Sequence, residues 1–142
     1  STGFYKTPTI HYDRETGKGK PYFYFAHGVA CSEVQIDTLT GEYKVTRVDI
    51  LHDVGKSLSP GIDIGQIEGG FVQGMGWVTS EELLWNNKGH LLSNAPANYK
   101  IPTAFDVPES FNVTLYKQDN HADTIYSSKA VGEPPLMLAL SV

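Results

Sequence analysis

The run ACSEVQID-TLTGE-YKVTRVDILHDVG, residues 30–55, decides the fold. Val34 and Ile36 alternate with Glu33 and Gln35, the period-two pattern of a half-buried strand. The preceding residues from Tyr22 are rich in aromatic and β-branched types, so the strand reading extends over 22–37. TLTGE supplies a turn, and a second alternating run follows from Tyr43 to Gly55. Its alternation slips at Thr46-Arg47, which predicts a β-bulge. A long hairpin results, and the rest of the fold is built outward from it.

Downstream of the hairpin stands SPGIDIGQIEGGFVQGMGWV, residues 59–78. Ser59 and Pro60 make a good helix start, serine as cap and proline in the first turn. Ile64, Ile67, Phe71, Met75 and Val78 recur at intervals of three and four and share one face. The opposite face carries Gln66, Gly69, Gln73 and Gly76. Each interior glycine costs about 1 kcal/mol relative to alanine, so Gly69, Gly70, Gly74 and Gly76 together cost roughly 4 kcal/mol. Something must approach this backbone closely enough to offset that. Another helix and a bound cofactor both meet the requirement.

Residues 4–20 read as irregular, with a GKGKP turn. EELLW-NNKGH-LLS (81–93) reads as a short hairpin around a glycine-containing turn. Residues 93–110, with prolines at 96, 102 and 108, read as a long loop of the kind that is often functional. FNVTLYK (111–117) is a strand with Phe111, Val113 and Leu115 on one side, and QDNHADTIYS is polar. Strands, helix, strands and helix in that order predict a mixed α+β domain over residues 1–142.

The chain has 142 residues, 40% hydrophobic and 19% charged, enough to bury a core. A net charge of −5 argues against nucleic acid and anionic membrane surfaces as partners. The single cysteine, Cys31, excludes an intrachain disulfide, an iron–sulfur cluster held by this chain alone and a cysteine-rich zinc site. No apolar run approaches a membrane span, and the expected compartment is the cytoplasm.

SKAVGEPPL, residues 128–136, carries the candidate chemistry. Proline disfavours the α region for the residue before it, and is tolerated in a first helical turn. Glu133 is therefore expected on a rigid lead-in to a helix that includes LMLALSV. That apolar helix has barely begun at Val142, so the chain is expected to be a fragment of something longer. One reading makes Glu133 a carboxylate stabilised by the helix dipole. The other makes it a general base, which requires its site to raise its proton affinity. No G-x-S-x-G is present, and the histidines at 11, 27, 52, 90 and 121 lack metal-ligand spacing. An unbulged hairpin would set His27 opposite His52, near Asp53. The bulge spoils that register, leaves cross-strand packing as the reading of the pair, and no metal ligands are assigned.

Residues 30–76, YKIP (99–102) and SKAVGEPPLMLA (128–139) together resemble the molybdenum hydroxylase family, in the C-terminal part of its molybdopterin-binding region. The resemblance runs over nearly the whole chain. It implies that Glu133 is the general base that deprotonates a hydroxyl on molybdenum, and that Gln66 hydrogen-bonds the molybdenum cofactor. It implies iron–sulfur clusters and FAD on other domains or subunits, a purine substrate oxidised to urate, and NAD as electron acceptor. Relatives acting on aldehydes or other N-heterocycles are the alternative, and a non-catalytic assembly module is the reading of a different class. The family's substrate-sandwiching aromatics and most cofactor contacts lie upstream of these residues. The isolated chain is therefore expected neither to retain molybdenum nor to turn over substrate.

Overall fold

The computed structural model describes residues 1–117 and 123–142. The polar stretch that includes His121 lies partly outside the described residues. Among the described residues five strands and one long helix form an α+β arrangement, followed by a short 3-10 turn at Ile125–Ser127 and a C-terminal 3-10 helix. Strands β3 (Gly28–Ile36) and β4 (Tyr43–His52) make the expected hairpin, and β5 (Ser110–Leu115) lies on the other side of β4. The β3–β4 pairing is antiparallel and the β4–β5 pairing parallel, so β4 is the central strand. The parallel pairing requires a crossover, supplied by helix α1 (Pro60–Val78) and the long loop after it.

The register shows why the bulge exists. Glu33 pairs with Arg47 and Val34 with Val45, leaving Thr46 as the extra residue. Val45, Val48, Ile50 and His52 are all buried, although the step from 45 to 48 is odd. An unbulged strand would turn Val45 to solvent. The Thr46 hydroxyl donates toward the Glu33 carbonyl and side chain, at 3.2 and 2.9 Å, and ties the bulge to its partner strand.

Helix α1 covers this sheet. Ile67, Phe71 and Met75 join Val45, Val48, Ile50, Val54 and Ala139 in one core, and the Phe71 ring meets Phe111 of β5 edge-on at 5.6 Å. Val78, assigned to the same face from spacing, is exposed, because the helix outruns the sheet there. Ser59 holds the N-cap position with extended backbone, but its hydroxyl makes no capping bond. The Ser57 hydroxyl instead bonds the Asp63 carboxylate in the first turn.

Two local readings are corrected. Residues 4–20 are not wholly irregular, since β1 (His11–Asp13) pairs with β2 (Lys18–Lys20) in a small hairpin turned by Gly17 at φ 66°. Polar, exposed strands of three residues give no alternation from which to read them. The first long strand begins at Gly28, not Tyr22, because the aromatics of 22–27 stack on one another rather than enter the ladder. The short hairpin expected at 81–93 is present, with an antiparallel bridge between Trp85 and Leu91, the Leu92 N–H donating to the Leu84 carbonyl and the Asn86 N–H to the His90 carbonyl. Residues 93–109 form no regular element, as expected.

Candidate functional site

The C-terminal segment pairs with residues 54–56, just past the end of β4, and then packs across α1 and β3 as a strap. The chain turns into it through Tyr126 and Ser127, both left-handed at φ 54° and 58°. Ser128 bridges Gly55, the Lys56 N–H donates to the Ser127 carbonyl at 2.8 Å, and the Lys129 N–H donates to the Val54 carbonyl at 2.9 Å. The Ala130 N–H donates to the Tyr24 hydroxyl at 2.8 Å. Beyond Val131 the strap seats on α1. A methyl group on Gly70 would come within 2.9 Å of the Gly132 carbonyl oxygen and 3.2 Å of Pro135. One on Gly74 would collide with the Leu136 carbonyl and approach Ala139 at 2.9 Å. These close approaches offset the helix cost of both glycines.

Glu133 stands at the corner of this strap and is exposed, with no side-chain capping bond. It is the N-cap of the 3-10 helix Pro134–Ser141. Its backbone sits at φ −101° and ψ −41°, in the α region that a following proline disfavours. The expectation of an extended residue there is overturned. The Leu136 N–H donates to the Glu133 carbonyl at 3.0 Å, closing a tight turn, and the seat on Gly70 holds the turn in place. Two successive prolines remove donors from the first turn, and the segment forms a 3-10 rather than an α-helix.

Gln66 comes to the same corner. Its Oε1 lies where a Cβ on Gly132 would be 3.2 Å away, so the two residues singled out from sequence flank one glycine. Gln66, Gly69 and Gln73 are exposed, and nothing lies within 4 Å of a Cβ built on Gly65 or Gly69. The glycines of α1 therefore divide. Gly70 and Gly74 are filled by the chain's own strap, and Gly76 by Pro102 and the Glu81 side chain. The expected gap between helix and neighbour does not exist at those three. The open backbone is at Gly65 and Gly69, beside Gln66.

That opening fits a flat, polar group. The Gln66 carboxamide offers a donor and an acceptor, and the bare helix surface beside it admits close approach. The histidines do not gather. Gly28, not His27, pairs with His52, and the Asp53 N–H donates to the His27 carbonyl at 2.8 Å. Among the described residues no group of three or more His, Cys, Asp or Glu side chains is placed to hold a metal ion. His52 is 1% exposed with Nδ1 unpartnered, and burial holds its imidazole below its ordinary proton affinity despite the nearby Asp53.

One close contact beneath the strap escaped the sequence reading. Lys129 Nζ lies 2.5 Å from Asp53 Oδ2, with the two side chains only 9% and 19% exposed. Asp53 Oδ1 also accepts from the Gly55 N–H at 2.8 Å. Burial pushes the Asp53 carboxyl up, but the Lys129 and Gly55 hydrogen bonds and the lysine charge outweigh it and hold it below its usual range. Both residues stood in quoted motifs, yet nothing local links positions 76 apart.

Residues 1–108 match the family described as Molybdopterin cofactor-binding domain. The chain belongs to that family. It is 56% identical to xanthine dehydrogenase/oxidase of Gallus gallus over 142 residues, all of this chain and 10% of that protein. It is 51% identical to xanthine dehydrogenase of Oryza sativa subsp. japonica, across 99% of this chain and 11% of that one. Among solved structures, it resembles the aldehyde oxidoreductase of Desulfovibrio desulfuricans ATCC 27774 with a TM-score of 0.77 and 25% identity, covering 89% of this chain and 13% of that one. Quinoline 2-oxidoreductase of Pseudomonas putida 86 follows at 0.70 and 29%, covering 78% and 14%. The chain thus spans about a tenth of the length of the curated relatives it matches. Among the described residues no helix is long and apolar enough to cross a membrane.

Proposed function

We propose that residues 1–142 are part of a molybdenum-dependent hydroxylase that oxidises hypoxanthine and xanthine to urate, with Glu133 as its general base and Gln66 as a cofactor ligand. The observation that carries this reading is the corner itself. An exposed carboxylate stands on backbone clamped from both sides, beside an exposed carboxamide that flanks an open stretch of helix. A base must meet its proton within hydrogen-bond reach, and a clamped main chain limits the error in that reach.

When bound, the molybdenum cofactor supplies the redox chemistry, taking two electrons from the substrate carbon. Gln66 would hold its pterin through the carboxamide, and the bare backbone at Gly65 and Gly69 would let it lie close. Glu133 would accept a proton at a carboxylate oxygen and later release it to water. Iron–sulfur clusters and FAD on other domains or subunits, NAD as electron acceptor and a cytoplasmic compartment belong to the same reading.

Identity of 56% to a xanthine dehydrogenase/oxidase supports purines over the aldehydes or quinolines named for the structural relatives at 25% and 29%. The test is Glu133→Gln in the full-length protein, with xanthine turnover and molybdenum content measured on one preparation. A loss of orders of magnitude in turnover with molybdenum retained is expected. Surviving activity would leave Glu133 a structural carboxylate and favour an assembly role for this segment.

A further inference from the structure

We propose that the Lys129–Asp53 ion pair is the positioning device for Glu133, acting through the strap rather than on substrate. The inference rests on Glu133 being the base. The strap is fixed to α1 on its downstream side by shape, through Gly70 and Gly74 against Gly132, Pro135, Leu136 and Ala139. Upstream it is fixed to the exit of β4 by charge, four residues before Glu133. There Lys129 Nζ meets Asp53 at 2.5 Å, while the Lys129 N–H and the Ser127 carbonyl bond Val54 and Lys56.

Backbone bonds of this kind tolerate a shift of the strap along its partner. A nearly buried ammonium does not, since any shift leaves a charge unpaired away from water. Upstream side-chain packing is slight, because Ala130 offers only a methyl group and Val131 is half-buried, and the other ties there are the main-chain bonds and the Ala130 N–H bond to the Tyr24 hydroxyl. The ion pair therefore sets the register in which the Gly132–Glu133 corner reaches its seat. Asp53 is in turn held by the Gly55 N–H, so the anchor on the β4 side is itself fixed.

The test uses the full-length, cofactor-loaded enzyme with Lys129→Met, Asp53→Asn, the double variant Lys129→Met/Asp53→Leu, and Glu133→Gln in parallel. Molybdenum content, kcat per molybdenum, KM and amide exchange of the peptide over 127–136 are read for each. Removing one charge strands the other, so the single variants lose folded, loaded enzyme. The double variant removes both and is expected to fold, since apolar replacement of a buried pair is often neutral to stability. Its expected signature is kcat per molybdenum lowered about tenfold, as for a small misplacement of a reacting group. KM should stay within about threefold in that case, with the 127–136 amides exchanging faster. Wild-type kcat per molybdenum in the double variant, with Glu133→Gln inactive, overturns the positioning role and leaves the base in place. An active Glu133→Gln overturns both.

Discussion

Gly70 of α1 and Gly132 of the strap touch so closely that a methyl group on the first would sit 2.9 Å from the carbonyl oxygen of the second. The opposing atom is main chain, one residue before Glu133, and cannot rotate away. Gly70→Ala gains about 1 kcal/mol of helix propensity but must push the corner outward. Overpacking of this kind costs about 1–3 kcal/mol. In the full-length enzyme the variant should lose about tenfold or more in kcat per molybdenum, a steady-state measurement on molybdenum-normalised enzyme. Gly74→Ala meets the Leu136 carbonyl and Ala139, further from Glu133, and should lower stability more than turnover.

Gly69 gives the opposite expectation. Nothing lies within 4 Å of a Cβ built there, so Gly69→Ala should slow amide exchange along α1, in line with a gain of up to about 1 kcal/mol. If the pterin lies on this open backbone beside Gln66, the same variant lowers molybdenum content. Slower exchange with full molybdenum content would move the cofactor off this face.

Much of this arrangement was legible from local pattern. Alternation gave the β3–β4 hairpin, the slip at Thr46 gave the bulge, and apolar spacing gave α1. The energetic cost of its glycines announced a close neighbour, and at Gly70 and Gly74 that neighbour is the SKAVGEPPL strap. What stayed hidden depends on distance along the chain. The parallel seat of β5 beside β4, the Tyr24 hydroxyl on Ala130 and the Lys129–Asp53 pair join segments with no shared periodicity. The α-region backbone of Glu133 was misjudged because a pre-proline preference yields to the closed Glu133–Leu136 turn.

Deleting Thr46 tests the bulge. Without the extra residue, Glu33–Arg47 and Val34–Val45 become consecutive pairs of a regular ladder, and Val45 keeps its inward side. The deletion should therefore cost little more than the lost hydroxyl contacts, about 1 kcal/mol. Thr46→Val, which keeps the residue count and removes only the hydroxyl contacts to Glu33, should cost about 1 kcal/mol. Chemical denaturation of the two variants checks this, with similar small losses expected, and a much larger loss on deletion would mean that the bulge itself is needed.

Acid should loosen the strap in two steps of the same sign. His52 is buried and its imidazole is held below its ordinary value, chiefly by desolvation, so folding favours the neutral ring. The unfolded chain then binds more protons as pH falls below about 6.5, and stability declines from there through the folded-state value. Asp53 is also depressed, the Lys129 and Gly55 bonds overcoming its burial. Its contribution is fully present above the unfolded carboxylate value of about 3.9 and is lost as pH falls through the lower folded value. Both groups sit at the β4 exit, under the strap that carries Glu133. Amide exchange of the 127–136 peptide, corrected for intrinsic rates, should therefore rise below about pH 6.5 and again below about pH 4. His52→Leu should abolish the upper step while keeping the lower. An upper step that survives the substitution would assign it to another group.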